Sequence, residues 1–184
     1  MTLRSERSIG QRCPFGKKDG DMYYRILQNQ DLIAIKVLAS TVLKALDTPE
    51  WWMPIYADER SFFDHSWTVL EGCFLNDGTM VAASGVFMNP VECAEHALEA
   101  ELDPVTTAEL SFCMVLGPFR GRRVMLRLNM DLIDHARLRA KTDLIAAVHP
   151  DNAAMIQSLT LLGMRNEVTI DDGMHKYTIY RMKL

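Results

Sequence analysis

The hydrophobic pattern of the chain is clearest between residues 109 and 163. Apolar runs of strand length occupy residues 110–116 and 144–148, and each is followed by a segment whose apolar residues recur every three to four positions. This spacing is typical of one helix face. The second segment stops at Gly163, as helices commonly do. The pattern predicts a β-turn-α-β-α unit whose first turn, residues 117–121, presents free N–H groups where anions bind well.

Weaker patterns predict the elements that precede this unit. A strand is expected at residues 22–27, and Asp31 is expected to cap the helix that follows. Pro49 ends that helix because the residue before a proline disfavours helical geometry. Asp58 is expected to open a further short helix.

Three turn signals predict the remaining elements. Asn76-Asp77-Gly78 favours a tight hairpin, Asn89-Pro90 is typical of a helix start, and Asp171-Asp172-Gly173 favours a second hairpin. The strands expected beside the two hairpin turns are residues 68–75, 79–88, 167–170 and 176–182.

The helix expected after Pro90 has two contrasting faces. Val91, Ala94 and Leu98 form its apolar stripe. The other face is acidic and is either a lip that attracts a cationic amine or an ordinary solvated surface. Its members are Glu92, Glu95 and Glu99, with Glu101 and Asp103 just beyond.

Length and net charge limit the classes of protein to which this chain can belong. A chain of 184 residues is expected to fold as a single domain, here residues 21–184, after a loosely ordered polar arm at residues 1–20. The net charge of -4 gives no reason to expect nucleic acid or an anionic membrane as a partner. The beginning of the chain lacks the apolar core of a secretory signal, and no apolar run is long enough to span a bilayer, so a cytoplasmic protein is expected.

The cysteines and histidines show no metal-ligand spacing. Four scattered cysteines fit either free thiols in a reducing compartment or, less simply, a disulfide or metal pair. No metal is expected. The cysteines are Cys13, Cys73, Cys93 and Cys113, and the histidines are His65, His96, His135, His149 and His175.

Three motifs in the predicted unit resemble those of the GNAT superfamily of N-acetyltransferases. Residues 117–121, GPFRG, stand where that family has Pro-x-Tyr-Arg-Gly at a helix start. Residues 148–152, VHPDN, match its Val-x-Pro-x-Asn strand end, and residues 162–164, LGM, match its Leu-Gly-Phe helix end. The resemblance implies an α/β fold: a mixed, twisted sheet of about six to seven strands flanked by helices, with splayed central strands.

The resemblance also implies acetyl-CoA as cosubstrate and a set of residues that bind it. Backbone groups of Val115 and Leu116 would contact the pantetheine, and Asn152 and Ser158 would lie along the same arm. The turn at the helix start would hold the phosphates. Its residues are Arg120, Gly121, Arg122, Arg123, Val124 and Met125.

Two departures from the family pattern bear on activity. Arg123 and Met125 replace small residues in the phosphate turn, where a large side chain either blocks the approach of a pyrophosphate or adds charge-assisted contacts. Leu159 stands where many relatives carry the tyrosine that protonates the leaving thiolate. The tyrosines of the closing hairpin, Tyr177 and Tyr180, are the alternative acids.

Glu109 is the candidate general base. It lies where many relatives have a carboxylate at the start of the fourth strand, from which it would take the ammonium proton of an amine; the simpler alternative is a solvent-facing glutamate. The predicted function is an acyl-CoA-dependent N-acyltransferase that acetylates a small-molecule amine by direct attack. The alternative is a CoA-binding or sensing protein that keeps the fold without catalysis, and a homodimer is left open.

Overall fold

A computed structural model of the protein describes residues 17–48, 66–171, 173 and 175–184. Eight strands and four α-helices lie within these ranges. The strands are β1 (Lys17–Asp19), β2 (Met22–Ile26), β3 (Thr68–Leu75), β4 (Met80–Phe87), β5 (Thr107–Val115), β6 (Asp143–Val148), β7 (Arg165–Asp171) and β8 (Lys176–Lys183). The helices are α1 (Leu32–Lys44), α2 (Ala94–Glu99), α3 (Val124–Leu138) and α4 (Ala153–Leu161).

All eight strands form one mixed sheet in the order β1-β2-β3-β4-β5-β6-β8-β7. Neighbours run antiparallel except for β5 and β6, which are parallel. This parallel pair is in register only from Thr107 with Asp143 to Glu109 with Ile145. Beyond that point β5 continues to Val115 and β6 to Val148 without pairing with each other. The predicted splay of the central strands is therefore confirmed.

Helices cover both faces of the sheet, as the amphipathic patterns of their sequences require. On one face, α3 and α4 bury Leu132 and Leu159 against strand residues such as Leu144. On the other face, α1 buries Leu38 against Phe74. The sheet and its splayed centre are therefore held between two packed layers.

The structure corrects four details of the predicted elements. Residues 17–19 lie inside the expected loose arm, yet they pair with β2 as an additional strand, because the turn at Gly20 returns the chain antiparallel. The helix after Pro90 begins only at Ala94, since Asn89 first folds the backbone into a turn by accepting a hydrogen bond from the Val91 N–H.

The apolar stripe predicted for this helix is also wrong. Val91 is 82% exposed and Leu98 64%, whereas Cys93, Ala97 and Ala100 are buried. The small alanines pack against Ile145 and Ile179 because a short helix lies close to the sheet only where its side chains are small.

Asp31 precedes α1 as predicted, but its carboxylate makes no capping bond to that helix. It accepts hydrogen bonds from the Gln28 N–H and from the guanidinium of Arg25, the latter at 2.7 Å. The ion pair with Arg25 replaces a cap on α1, because a charged donor binds a carboxylate more strongly than a backbone amide of the helix would. The short helix predicted from Asp58 lies outside the described residues.

Candidate functional site

The gap between the splayed strands is a cavity of about 1140 Å³. Its walls come from β5, the start of α3, the end of β6 and the first turns of α4, with the α1 end and the β7–β8 hairpin at its rims. A volume of this size is comparable to the larger clefts that bind extended small molecules.

A β-bulge shapes the cavity wall formed by β5. The pairing with β4 shifts between Gly85, opposite Ser111, and Ala83, opposite Met114, so two residues of β5 face one of β4. Phe112 in the bulge has a φ of 62°. Such bulges re-aim side chains and break the hydrogen-bond ladder locally, commonly beside functional sites.

The start of α3 forms the second wall and carries unused hydrogen-bond donors. Gly121 and Arg123 both adopt the left-handed conformation, with φ of 74° and 60°, and turn the chain into the helix. Within the described part of the chain, the amides of residues 121–126 donate no hydrogen bond. Free donors at the positive end of a helix, beside arginine side chains, favour an anion there.

The structure brings together most of the residues predicted to bind the cofactor. Arg120 and Arg123 line the cavity, whereas the Arg122 guanidinium lies 5.3 Å from the centre of the Phe119 ring. The other predicted residues on the cavity wall are Val115, Gly121, Val124, Met125, Asn152 and Ser158.

Leu116 is the other predicted residue that does not line the cavity. Its backbone N–H donates to the Val81 carbonyl at 3.0 Å, which ties the end of β5 to the neighbouring strand. Of its backbone groups, the N–H is therefore already used within the fold.

Helix α4 supplies the third wall. Asn152 caps it, its side-chain oxygen accepting from the Met155 N–H at 3.2 Å, and this bond fixes the amide at the cavity edge. Leu159, at the position of the family's tyrosine, is fully buried in the core and does not line the cavity.

Glu109 lines the cavity at the point where β5 and β6 separate. Its Oε1 lies 2.9 Å from Nδ1 of His96, a residue of α2. Both side chains are largely buried, with 16% of His96 and 12% of Glu109 exposed. The predicted candidate base is thus one half of a buried pair, not a solvent-facing glutamate.

A second hydrogen-bonded pair adjoins the first. The Tyr177 hydroxyl lies 2.8 Å from both carboxylate oxygens of Glu99, and the Tyr177 ring stands edge-on to His96 with centroids 5.2 Å apart. Tyr177 also lines the cavity, whereas Tyr180 is buried in the core. The fallback acid Tyr177 therefore has its hydroxyl proton directed at Glu99.

His96 is the site residue that the sequence analysis missed. Histidines were tested only for metal-ligand spacing, and His96 has none. The available signal was indirect: His96 lies on a short helix just before the strand that carries Glu109. Only the packing of α2 on the sheet shows that the two side chains meet.

The environment of His96 favours its charged form. Burial alone would lower the pKa of His96, but the hydrogen bond to Glu109 and the negative charges of Glu109, Glu95 and Glu99 outweigh it. The pKa of His96 is therefore raised above 6.5.

Burial keeps the thiols of Cys113, on the cavity wall, and Cys93 in their neutral form. Burial raises the pKa of the Cys113 thiol, whose sulfur lies 3.3 Å from the Ser84 hydroxyl. Burial also raises the pKa of Cys93 to about 12. Thiols held in the neutral form are poor nucleophiles and poor metal ligands.

A search of the described residues for three or more clustered histidine, cysteine, aspartate or glutamate side chains finds no group that could hold a metal ion. In the same part of the chain, none of the helices has the length and apolar character needed to cross a membrane.

No family model matches the chain, and no curated protein matches it in sequence. Solved structures do match. A GCN5-related N-acetyltransferase from Kribbella flavida is 19% identical, with 89% of this chain and 98% of that one covered and a TM-score of 0.64. The Salmonella typhimurium protein yncA, solved with its cofactor acetyl-CoA, is 17% identical, with 90% and 95% covered and a TM-score of 0.66.

A third match is the ribosomal-protein-S5-alanine acetyltransferase from Vibrio fischeri, at 11% identity, 91% and 95% coverage and a TM-score of 0.69. Agreement over nine-tenths of the chain at such low identity reflects a shared fold. The chain therefore has the fold of the GCN5-related N-acetyltransferases, the GNAT family that its sequence motifs resemble.

Proposed function

We propose that this protein is an acetyl-CoA-dependent N-acetyltransferase that acts on a small cationic amine in the cytoplasm. One observation carries the proposal: a single cavity joins the free amides at the start of α3 to the carboxylate of Glu109. One end suits the phosphates of a cofactor, and the other suits an ammonium group.

The residues at the α3 turn fit coenzyme A. Pyrophosphate would be held by the amides of residues 121–126 and by the side chains of Arg120 and Arg123, with Asn152 and Ser158 along the pantetheine arm. When bound, acetyl-CoA would supply an acetyl group activated as a thioester. A backbone amide near Val115, beside the β5 bulge, would polarise its carbonyl.

The acceptor must lose a proton before it can attack, because an ammonium group has no lone pair. Glu109 lines the cavity and is the carboxylate assigned to take that proton. Asp47 also lines the cavity, as does Asp171, which lies 3.9 Å from the Lys176 ammonium. The acceptor is proposed to enter as a cation because Glu109 places a carboxylate on the cavity wall.

No tyrosine is assigned as general acid. Leu159 is buried, Tyr180 lies in the core, and the Tyr177 hydroxyl is directed at Glu99. A thiol with a pKa of about 8.5 leaves readily as the thiolate, so turnover does not require a dedicated donor.

Two measurements test the proposal. Calorimetry with CoA should give saturable binding, and a screen of small amines with acetyl-CoA should show amine-dependent release of free thiol. Binding without thiol release from any amine would favour the alternative, a CoA-binding or sensing protein with the same fold. Absence of binding would contradict both.

Replacement of Glu109 tests its role in the reaction. Glu109→Gln should lower kcat/KM at neutral pH by about 10²- to 10⁴-fold, because the amide cannot accept the proton. A rise in pH should restore part of the rate, since more of the amine is then neutral. CoA affinity should stay unchanged.

Asp134→Asn, an acid-to-amide change on an exposed part of α3, is the control and should keep wild-type kinetics. Full activity of Glu109→Gln across the pH range would show that the proton goes elsewhere.

A further inference from the structure

We propose that His96 is a positioning residue for Glu109: its Nδ1–H holds the carboxylate that takes the amine's proton, and the charge of its ring controls how basic that carboxylate is. The inference deepens the proposed function and rests on it. It assigns a role to a histidine that is absent from the cavity wall.

The geometry supports a unit rather than two independent groups. Nδ1 of His96 and Oε1 of Glu109 lie 2.9 Å apart, within hydrogen-bond distance. The two side chains are largely buried, so water does not compete strongly for this bond. Glu109 lines the cavity, whereas His96 lies behind it on α2. An amine can therefore reach the carboxylate but not the imidazole.

The groups around His96 hold the ring in place and set its charge preference. Tyr177 of β8 contacts the ring edge-on and is itself fixed by its bond to Glu99. The charged groups that act on the imidazole are Glu95 and Glu99 from α2 and Glu109 from β5, all acidic. Three negative charges favour the imidazolium and offset the cost of burial.

A carboxylate alone is a weak base for this reaction, because the ordinary glutamate pKa is about 4.3. A positive charge beside the carboxylate would weaken it further as a base. His96 therefore has to be neutral when Glu109 accepts the proton.

Before the reaction the unit carries one negative charge, with Glu109 ionised and accepting the Nδ1–H of a neutral His96. An N–H bond of the ammonium breaks, its electron pair stays on the amine nitrogen, and the proton passes to the carboxylate oxygen of Glu109 that His96 does not hold. The unit is then neutral overall, a carboxylic acid beside a neutral imidazole. The amine is free to attack the thioester, and the proton later returns to solvent.

Orientation of Glu109 and control by the charge of His96 predict different pH profiles. If His96 only orients Glu109, any N–H donor at the position of Nδ1 should give the wild-type profile. Asparagine provides a test because its side-chain amide can place an N–H near that position without titrating. His96→Asn therefore separates orientation from charge control.

The main experiment is the pH profile of kcat/KM. The wild-type profile should rise with pH through an inflection above 6.5, as His96 loses its proton. His96→Asn should bind CoA normally, keep the kcat/KM that the wild type reaches at high pH, and lose that inflection. An unchanged inflection in His96→Asn would overturn the proposal.

A matched histidine control is His135→Asn on α3, outside the cavity wall. This variant should keep the wild-type profile. Loss of the inflection in both variants would show that the change does not report on His96, which also overturns the proposal.

A second readout does not depend on turnover. The imidazole resonances of His96, followed by NMR against pH, should give a pKa that falls when Glu109 is replaced by glutamine. An unaltered His96 titration in Glu109→Gln would overturn the pair even if the enzyme is active. Failure of every amine to release thiol would instead overturn the proposed function, so the two failures are distinguishable.

Discussion

At the scale of single residues, Arg123 combines a strained backbone with a side chain on the cavity wall. Its φ of 60° lies in the left-handed region, where a β-carbon crowds the following carbonyl. Gly121, two residues earlier, has the same conformation without that cost. The family's small residue at position 123 is thus replaced by one that costs stability and adds charge.

Arg123→Gly should therefore have opposite effects on stability and on binding. Relief of the backbone strain should raise the free energy of unfolding by about 0.5–1 kcal/mol, after the entropy cost of a glycine. Thermal unfolding should show this as a small rise in Tm. Calorimetry should show weaker CoA binding, by about 1.5–3 kcal/mol for a lost charged contact, with the difference shrinking at high salt.

Ala140→Gly is the matched control, because Ala140 has a φ of 55° and lies outside the cavity wall. It should raise Tm similarly and leave CoA binding unchanged. Tighter CoA binding by Arg123→Gly would show that the arginine obstructs the phosphates.

At the scale of elements, one side of α4 faces the cavity and another side faces the core. Met155 and Ser158 line the cavity, whereas Leu159 packs into the core with Leu132 and Met164. A hydroxyl introduced at position 159 would therefore enter the apolar core and not the cavity. The missing tyrosine cannot be restored by that single change.

Leu159→Tyr should destabilise the protein without a gain in activity. A larger side chain in a close-packed core typically costs about 1–3 kcal/mol, and a buried hydroxyl without a partner adds to this. Urea unfolding should show a lower midpoint. Leu161→Tyr on the same helix, where the leucine is 63% exposed, should leave that midpoint nearly unchanged. Equal stability of both variants would contradict the packing of α4 described above.

At the scale of the whole molecule, two buried carboxylates each pair with an arginine of the sheet. Asp31 pairs with Arg25 of β2, and Asp143 at the start of β6 pairs with Arg181 of β8. The hydrogen bond from Arg25 lowers the pKa of Asp31. Burial would raise the pKa of Asp143, but bonds from Thr142, Arg181 and Lys183 lower it overall.

Because their pKa values are lowered, these two carboxylates stabilise the folded protein less as the pH falls. The contribution of each carboxylate is fully present above its ordinary value of 3.8 and is lost as the pH falls through the lowered value. The double variant Asp31→Asn, Asp143→Asn should lose about 1–3 kcal/mol per site at pH 7. Its free energy of unfolding should then fall less steeply below pH 3.8 than that of the wild type.

Denaturant unfolding over a pH series checks this expectation. Asp134→Asn, which removes an exposed ion pair to Arg137, should behave as the wild type because exposed pairs contribute little. Parallel acid profiles for the wild type and the double variant would show that these carboxylates do not govern acid stability.

The sequence by itself determined the order of the elements and the place of the cavity. Periodicity predicted most strands and helices, and turn residues such as Asn76-Asp77-Gly78 predicted the hairpins, because both depend on local backbone and side-chain preferences. The motifs at residues 117–121 and 148–152 singled out Arg120 and Asn152, and the start of the fourth strand singled out Glu109. All three residues line one cavity in the structure.

Only the tertiary structure decided which side chains are partners. His96 and Glu109 are 13 residues apart, and Tyr177 and Glu99 are 78 apart. Their contacts depend on how α2 packs and on the register of β8, which no local pattern specifies. Packing also decides that the Asp31 carboxylate binds Arg25 and not the helix that Asp31 precedes. It decides as well that the face of α4 with Leu159 lies in the core. Side-chain partnership is a property of packing, because it depends on distances between segments that the chain brings together only on folding.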